Sequence, residues 1–326
     1  MMSISTTGEG LDCLLKRRDH LEILRYIRSH HLREPQLVIE HGKAVLGKEL
    51  TNNKPSSSLS EISSLLGLSL TESEKLSILE QVCRAALDVN DQTLADQCYS
   101  NIVSKVNNPN SARVRRLLGL CLEASGDSEG ALQLYQDLIK ENPANVYALK
   151  RLYCMLKAQP NKQAEAMEAL KQCLAQGNPS DAPTWLEMGQ LCQSMGDIQG
   201  SVYCWEELVL IDPLNASLHL TLGELYATLG GITNLHLARR HVCQSLELSH
   251  SVRALFSLLS VSSNFCQEAS KKKQREVVDS DDLEVAKALV KFSADELSKV
   301  YRGTPMMDST KALIKKHLDA LPDGET

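Results

Sequence analysis

WLEMGQLCQSMGDIQGSVYCWEELVLIDP, running from Trp185 to Pro213, sets the register of the whole chain. It places Gly189 and Ser201, two small side chains, close to Trp185, Leu191 and Trp205. A glycine inside a helix costs about 1 kcal/mol against alanine. Something must therefore approach its backbone closely enough to offset that cost, and the neighbouring sequence says what it is.

RVRRLLGLCLEASGDSEGALQLYQDLIKENP ends at Pro143, and LHLTLGELYATLGG follows the first stretch. Gly189 and Gly223 are 34 residues apart, and Pro143, Pro179 and Pro213 are 36 and 34 apart. Each unit has a glycine-containing helix, a turn, a second helix and a terminating proline. The turns are Gly126-Asp127, Gly196-Asp197 and Gly230-Gly231. A period of 34 with aromatic, glycine, small residue, aromatic and proline at fixed offsets is the tetratricopeptide pattern. With Trp185 at position 4, Gly189 falls at 8, Ser201 at 20, Trp205 at 24 and Pro213 at 32. Gly119, Ala131 and Tyr135 occupy 8, 20 and 24 of an earlier unit, and Gly223 and Tyr226 occupy 8 and 11 of a later one. The unit between the first two is the most degenerate, with Tyr153 where glycine is expected.

Small residues at 8 and 20 let two antiparallel helices cross closely, large ones fill the space around the crossing, and proline stops the second helix. The prediction is an all-α fold: a right-handed α-solenoid of tetratricopeptide-type helix pairs with divergent helical caps. Its boundaries are an N-terminal helical cap over 1–50, a Ser-rich loop over 51–70, the solenoid over 71–262, a polar Lys-rich connection over 263–282, and a C-terminal helical cap over 283–326. Thr71 and Glu74 form an S/T-x-x-E helix start.

The formal charge of −6 over 326 residues disfavours general nucleic-acid binding, which needs a basic surface. The first residues, MMSISTTGEG, are polar and predict no secretory leader. No apolar run reaches the roughly 18–20 residues of a membrane span. Ten cysteines spread from Cys13 to Cys266 form no C-x-x-C pair and read as reduced thiols used as small hydrophobes. Metalloprotease, P-loop, nucleophile-elbow and dinucleotide motifs are missing, so the sequence predicts no enzyme, cofactor or metal. His236 and His241 stand five apart, off a common helix face. Lys271-Lys272-Lys273 with Arg275 reads as a solvated loop or a contact to lipid headgroups or an acidic partner.

What remains is a surface. Positions 2, 5, 9, 12 and 13 of each first helix line the groove of such a stack. They fall here on Arg113, Arg116, Leu120 and Glu123; on Tyr147, Lys150 and Lys157; on Leu186, Gln190 and Gln193; and on Leu220, Glu224 and Thr228. This groove is basic toward its N-terminal half, which suits an extended peptide with an acidic stretch; solvated helix residues are the alternative. A chaperone-type carboxylate clamp needs lysine at 5 and asparagine at 9, and Arg116 and Leu120 stand there instead. A tetratricopeptide adaptor of another assembly and a helical-repeat RNA binder stay open as other readings. The varied residues at Arg116, Lys150, Leu186 and Leu220 speak against the RNA reading.

Several stretches go beyond the generic repeat: RVRRLLGLCLEASGDSEGALQLYQDLIKENPAN (113–145), WLEMGQL, YCWEELVLIDPLN, YATLGGITNLHLARR with its insertion after Gly230-Gly231, and VRALFSLL. In these the chain resembles the subunit 2 family of the endoplasmic reticulum membrane protein complex, over roughly residues 80 to 320. The resemblance implies a non-catalytic scaffold on the cytosolic face of that membrane, peripheral through its partners. It implies a groove holding an extended cytosolic tail of a membrane subunit and a surface for a globular cytosolic subunit. It implies a part in inserting tail-anchored and multi-span proteins. The first eighty residues depart from the family pattern.

Overall fold

Side-chain caps and glycine turns punctuate the chain into helices. Thr71, Asp91, Ser111, Asp127, Asn145, Asp197 and Ser251 each accept a backbone N–H from the first turn of the helix that follows, satisfying a donor the helix itself cannot. Gly126 and Gly196 take φ of +83° and +79°, a left-handed conformation strained for other residues. Each turns the chain into the aspartate that caps the next helix.

The computed structural model describes residues 11–47 apart from 12, 70–270 and 280–303, and every regular element among them is an α-helix. The chain divides into two units, Met1–Ala158 and Gln159–Thr326. The first holds α1 (His20–Ser29), α2 (Pro35–Leu46), α3 (Glu72–Asp88), α4 (Gln92–Lys105), α5 (Ala112–Ser125), α6 (Ser128–Glu141) and α7 (Val146–Lys157). The second holds α8 (Gln163–Gln176), α9 (Ala182–Ser194), α10 (Ile198–Ile211), α11 (Ala216–Leu229), α12 (Ile232–Leu248), α13 (Val252–Ala269) and α14 (Ser280–Gly303). Within each unit every helix packs on its predecessor and successor, and first helices of consecutive pairs also touch, α3 with α5 and α11 with α13. This nearest-neighbour packing is that of a helical repeat array.

The crossings are built from small-against-large pairs. A β-carbon on Gly189 would stand 2.9 Å from Trp205 Nε1 and 3.3 Å from Cys204 Cβ. Ser201 Oγ donates to the Gly189 carbonyl at 3.1 Å, which explains a serine, fully buried, at position 20. The Tyr135 ring lies over Gly119 in the same way, with Ala131 fully buried beside it, and Val242 lies over Gly223. Trp185 and Tyr226 are buried around these crossings. Position 4 has a second task. Trp185 Nε1 donates to the Pro179 carbonyl at 2.7 Å, and His219 Nε2, at the same place one repeat later, makes the same bond to Pro213 at 3.0 Å.

Unit 1 carries an equivalent crossing between α2 and α3. Gly42 of α2 sits directly under Val82 of α3, and Ile23, Leu24, Ile27, Val38 and Leu46 share one core with Ile78 and Leu79. The degenerate repeat spans both units, with α7 in the first and α8 in the second, and Tyr153 is buried where glycine was expected.

Helices occupy both ends of the span 263–282 expected as a polar connection. Helix α13 runs on to Ala269 and α14 begins at Ser280. Leu258, Val261, Ser262, Phe265 and Ala269 follow one buried helical face, on which serine acts as a small core residue. Arg239 closes this end. It is 4% exposed, its guanidinium lies 4.7 Å over the Phe265 ring, and it donates to the Asp282 carbonyl and carboxylate, each at 3.0 Å. The Ser-rich loop expected over 51–70 lies outside the described residues apart from Leu70, as do Lys271-Lys272-Lys273, Arg275 and 304–326. Cys83, Cys98, Cys121, Cys173, Cys192 and Cys204 are buried, and burial pushes the Cys98 and Cys204 thiols up to about 12. The six pack as small hydrophobes.

Candidate functional site

The groove-lining positions lie on first helices of the pairs, and each unit presents its own set. In unit 1 these helices are rich in arginine. Arg113, 70% exposed, reaches back to Glu80 of α3, with Nε 2.7 Å from the carboxylate, and Glu80 also binds Arg84. Arg28, Arg33, Arg84 and Arg113 line an open cavity of about 550 Å³ with Glu80 and Asp88. Arg116 is committed to the fold: it donates to Asn145 Oδ1 at 2.9 Å, and its guanidinium lies 5.2 Å over the Tyr147 ring. Asn145 caps α7, so Arg116 holds the next first helix in place. Leu120, Tyr147 and Lys150 are half-buried, while Lys157 is exposed with its ammonium 5.6 Å over Tyr153.

Glu123, half-buried, links three helices of this surface. Tyr135 Oη donates to it at 2.6 Å, and Arg151 Nε donates at 2.9 Å with a second, shorter bond from the same guanidinium. Burial and then Glu123 push the Tyr135 phenol well above its usual range. Burial alone would lower the Arg151 pKa, but the bond and charge of Glu123 raise it. The carboxylate therefore joins α5, α6 and α7 at the groove floor. Sequence reading placed Glu123 only as a groove position.

In unit 2, Leu186 is half-buried and Gln190 exposed. Leu220 is not a groove residue. It is 7% exposed and packs with Val242, Ala254 and Leu258, because α13 covers position 5 of α11 with a small Ala254 that lets the leucine in. Glu224 accepts from Arg253 Nε at 3.0 Å and from Ser257 Oγ at 2.9 Å. The surface beside it is apolar: Val252 and Phe256, about 40% exposed each, line an open cavity of about 600 Å³ with Ala227 and Glu224. Reading the sequence missed Val252 and Phe256 as lining residues, although VRALF was conspicuous.

His236 and His241 have separate surroundings, as their spacing implies. His236 faces Arg239 and Asp282. His241 meets His219 with Nδ1 atoms 3.1 Å apart and stacks on Tyr226. In unit 1, His20 and His41 meet at 2.7 Å. The Pro213 carbonyl can only accept, so His219 Nε2 donates to it. Burial first, then the neighbouring histidine, lowers the pKa of both His41 and His241. A depressed histidine contributes stability that is full above the unfolded value of about 6.5 and is lost as pH falls through the folded values. Unfolding midpoints in urea should therefore drop between about pH 7.5 and 5.5, and His41→Gln with His241→Gln should flatten the slope. An unchanged slope in that double variant would refute this assignment.

Among the described residues no helix is long and apolar enough to cross a membrane. No family model matches the chain. ER membrane protein complex subunit 2-A of Xenopus laevis is 33% identical over 239 residues, 72% of this chain and 77% of that relative. The chain belongs to the ER membrane protein complex subunit 2 family. The Xenopus tropicalis member is 37% identical over 182 residues, 56% of this chain, so the match spans 60% of that relative's length. The Dictyostelium discoideum member is 27% identical over 246 residues, 76% of this chain and 69% of the relative. Among solved structures, the C-terminal part of a TPR repeat-containing protein from Cytophaga hutchinsonii covers 91% of this chain and 99% of its own, at 13% identity and a TM-score of 0.48.

Proposed function

We propose that the chain is a non-catalytic scaffold subunit of an ER membrane protein complex, held at the cytosolic face of that membrane by its partners. The family membership carries the reading, and the absence of a membrane-crossing helix among the described residues is consistent with it. In this reading the first helices of unit 1 hold an extended cytosolic tail of a membrane-embedded subunit. An acidic stretch of the tail lies along Arg113, Lys150 and Lys157, with the peptide displacing part of the Arg113–Glu80 contact. The apolar wall of Val252 and Phe256 takes an apolar side chain. Another surface meets a globular cytosolic subunit, and the assembly inserts tail-anchored and multi-span proteins.

Arg116 is a poor test residue, because its loss would disturb Asn145 and the start of α7. Arg113→Glu with Lys157→Glu changes two exposed side chains. Recovery of the tail-bearing subunit with the tagged chain should fall about tenfold, with the melt unchanged. Undiminished recovery of every partner would remove the groove from the proposal.

A further inference from the structure

From Gln172 to Ala238 the chain contains neither lysine nor arginine. Seven of its 41 acidic residues lie in this stretch, which leaves 34 acidic against 35 basic residues elsewhere. The net charge of the molecule is therefore concentrated in the stretch that holds α9, α10 and α11 with their caps. The same stretch holds Met195, Tyr203, Leu210, Ile211, Leu214 and Leu229, six of the eleven exposed large apolar residues among those described.

Tyr203, Glu207, Leu210 and Leu214 succeed one another at four, three and four residues, so they share one face of α10 and carry it into the following turn. The opposite face buries Ser201, Trp205 and Leu208. Leu210 and Leu214 are 75% and 77% exposed, and Asp212 stands between them. A clustered apolar stripe of this exposure marks an interaction surface. It lies on the second helix of its pair, whereas the groove positions lie on first helices.

We propose that this outer face of α10, with Leu214, docks a cationic amphipathic helix of another protein. Apolar side chains of that helix meet Tyr203, Leu210 and Leu214, and its lysines or arginines meet Glu207 and Asp212. Charge selects the occupant. Binding to anionic lipid headgroups or to nucleic acid needs basic residues beside the apolar ones, and this face has none. A second copy of the same face would oppose acid to acid. A partner with basic residues flanking apolar anchors complements both features. The assignment stands whether or not the groove holds a tail.

The full chain is titrated by fluorescence anisotropy with a labelled helical peptide of leucine and lysine, patterned to be amphipathic, and with the same peptide carrying glutamate for lysine. The lysine peptide should bind with an affinity that falls as salt rises, and the glutamate peptide should not bind. Leu210→Ser with Leu214→Ser should weaken binding about tenfold or more while leaving the melt in place, since both side chains are exposed. Glu207→Lys with Asp212→Lys should weaken it through charge alone. Absence of binding by the lysine peptide, equal binding by the glutamate peptide, or full binding by the leucine variant overturns the proposal. So does binding to anionic vesicles that the leucine variant abolishes, which would make the face a lipid surface.

Discussion

Gly189→Leu is expected to lower the melting temperature by about 5–10 °C, the largest effect of any single change in unit 2. Already a β-carbon there would stand 2.9 Å from Trp205 Nε1 and 3.1 Å from Cδ1, so a leucine drives α9 and α10 apart. Overpacking of a filled core typically costs about 1–3 kcal/mol, and each kcal/mol moves the midpoint by about 2–4 °C in a domain of this size. The better helix propensity of leucine returns less than about 1 kcal/mol. Because repeats are stabilised by their neighbours, the loss should appear first as faster hydrogen exchange in α9 to α11. Trp205→Ala in the same chain should recover part of the loss, a coupling that a merely local helix effect would not produce. A melt indistinguishable from the parent would contradict the crossing described here.

Glu123→Ala is expected to destabilise unit 1 by about 2–4 kcal/mol. The carboxylate is 15% exposed and Arg151 32%. The substitution leaves a half-buried guanidinium and the hydroxyl of fully buried Tyr135 without their acceptor. Breaking a fully buried pair costs about 3–5 kcal/mol, and partial solvent access reduces that. Tyr135→Phe in the Glu123→Ala background should relieve some of the cost by removing one orphaned donor. A chemical melt showing less than about 0.5 kcal/mol would mean that water replaces the network freely.

The crossings were legible because they repeat. Glycine stands under an aromatic sixteen residues later in two repeats, Gly119–Tyr135 and Gly189–Trp205. Gly42 under Val82 obeys the same physics, but with valine for the aromatic and no regular spacing it left no signal. Leu220 was misplaced for a different reason. Whether position 5 faces the groove or the core depends on the side chain that the following first helix lays over it, here Ala254, and register alone does not contain that. Within α13, Ser262 is fully buried and packs as a small core residue, a role that composition alone does not reveal. The missing basic residues between Gln172 and Ala238 were in plain sight. An absence has no motif, and it gained meaning only when the exposed leucines of α10 were seen beside it.

The measurement that bears most directly on the central claim is extraction of cells carrying the tagged chain in mild detergent, followed by identification and quantification of everything that co-purifies. Multi-span membrane proteins recovered in fixed ratio to the chain are the predicted result. Recovery of soluble proteins alone would contradict the scaffold account.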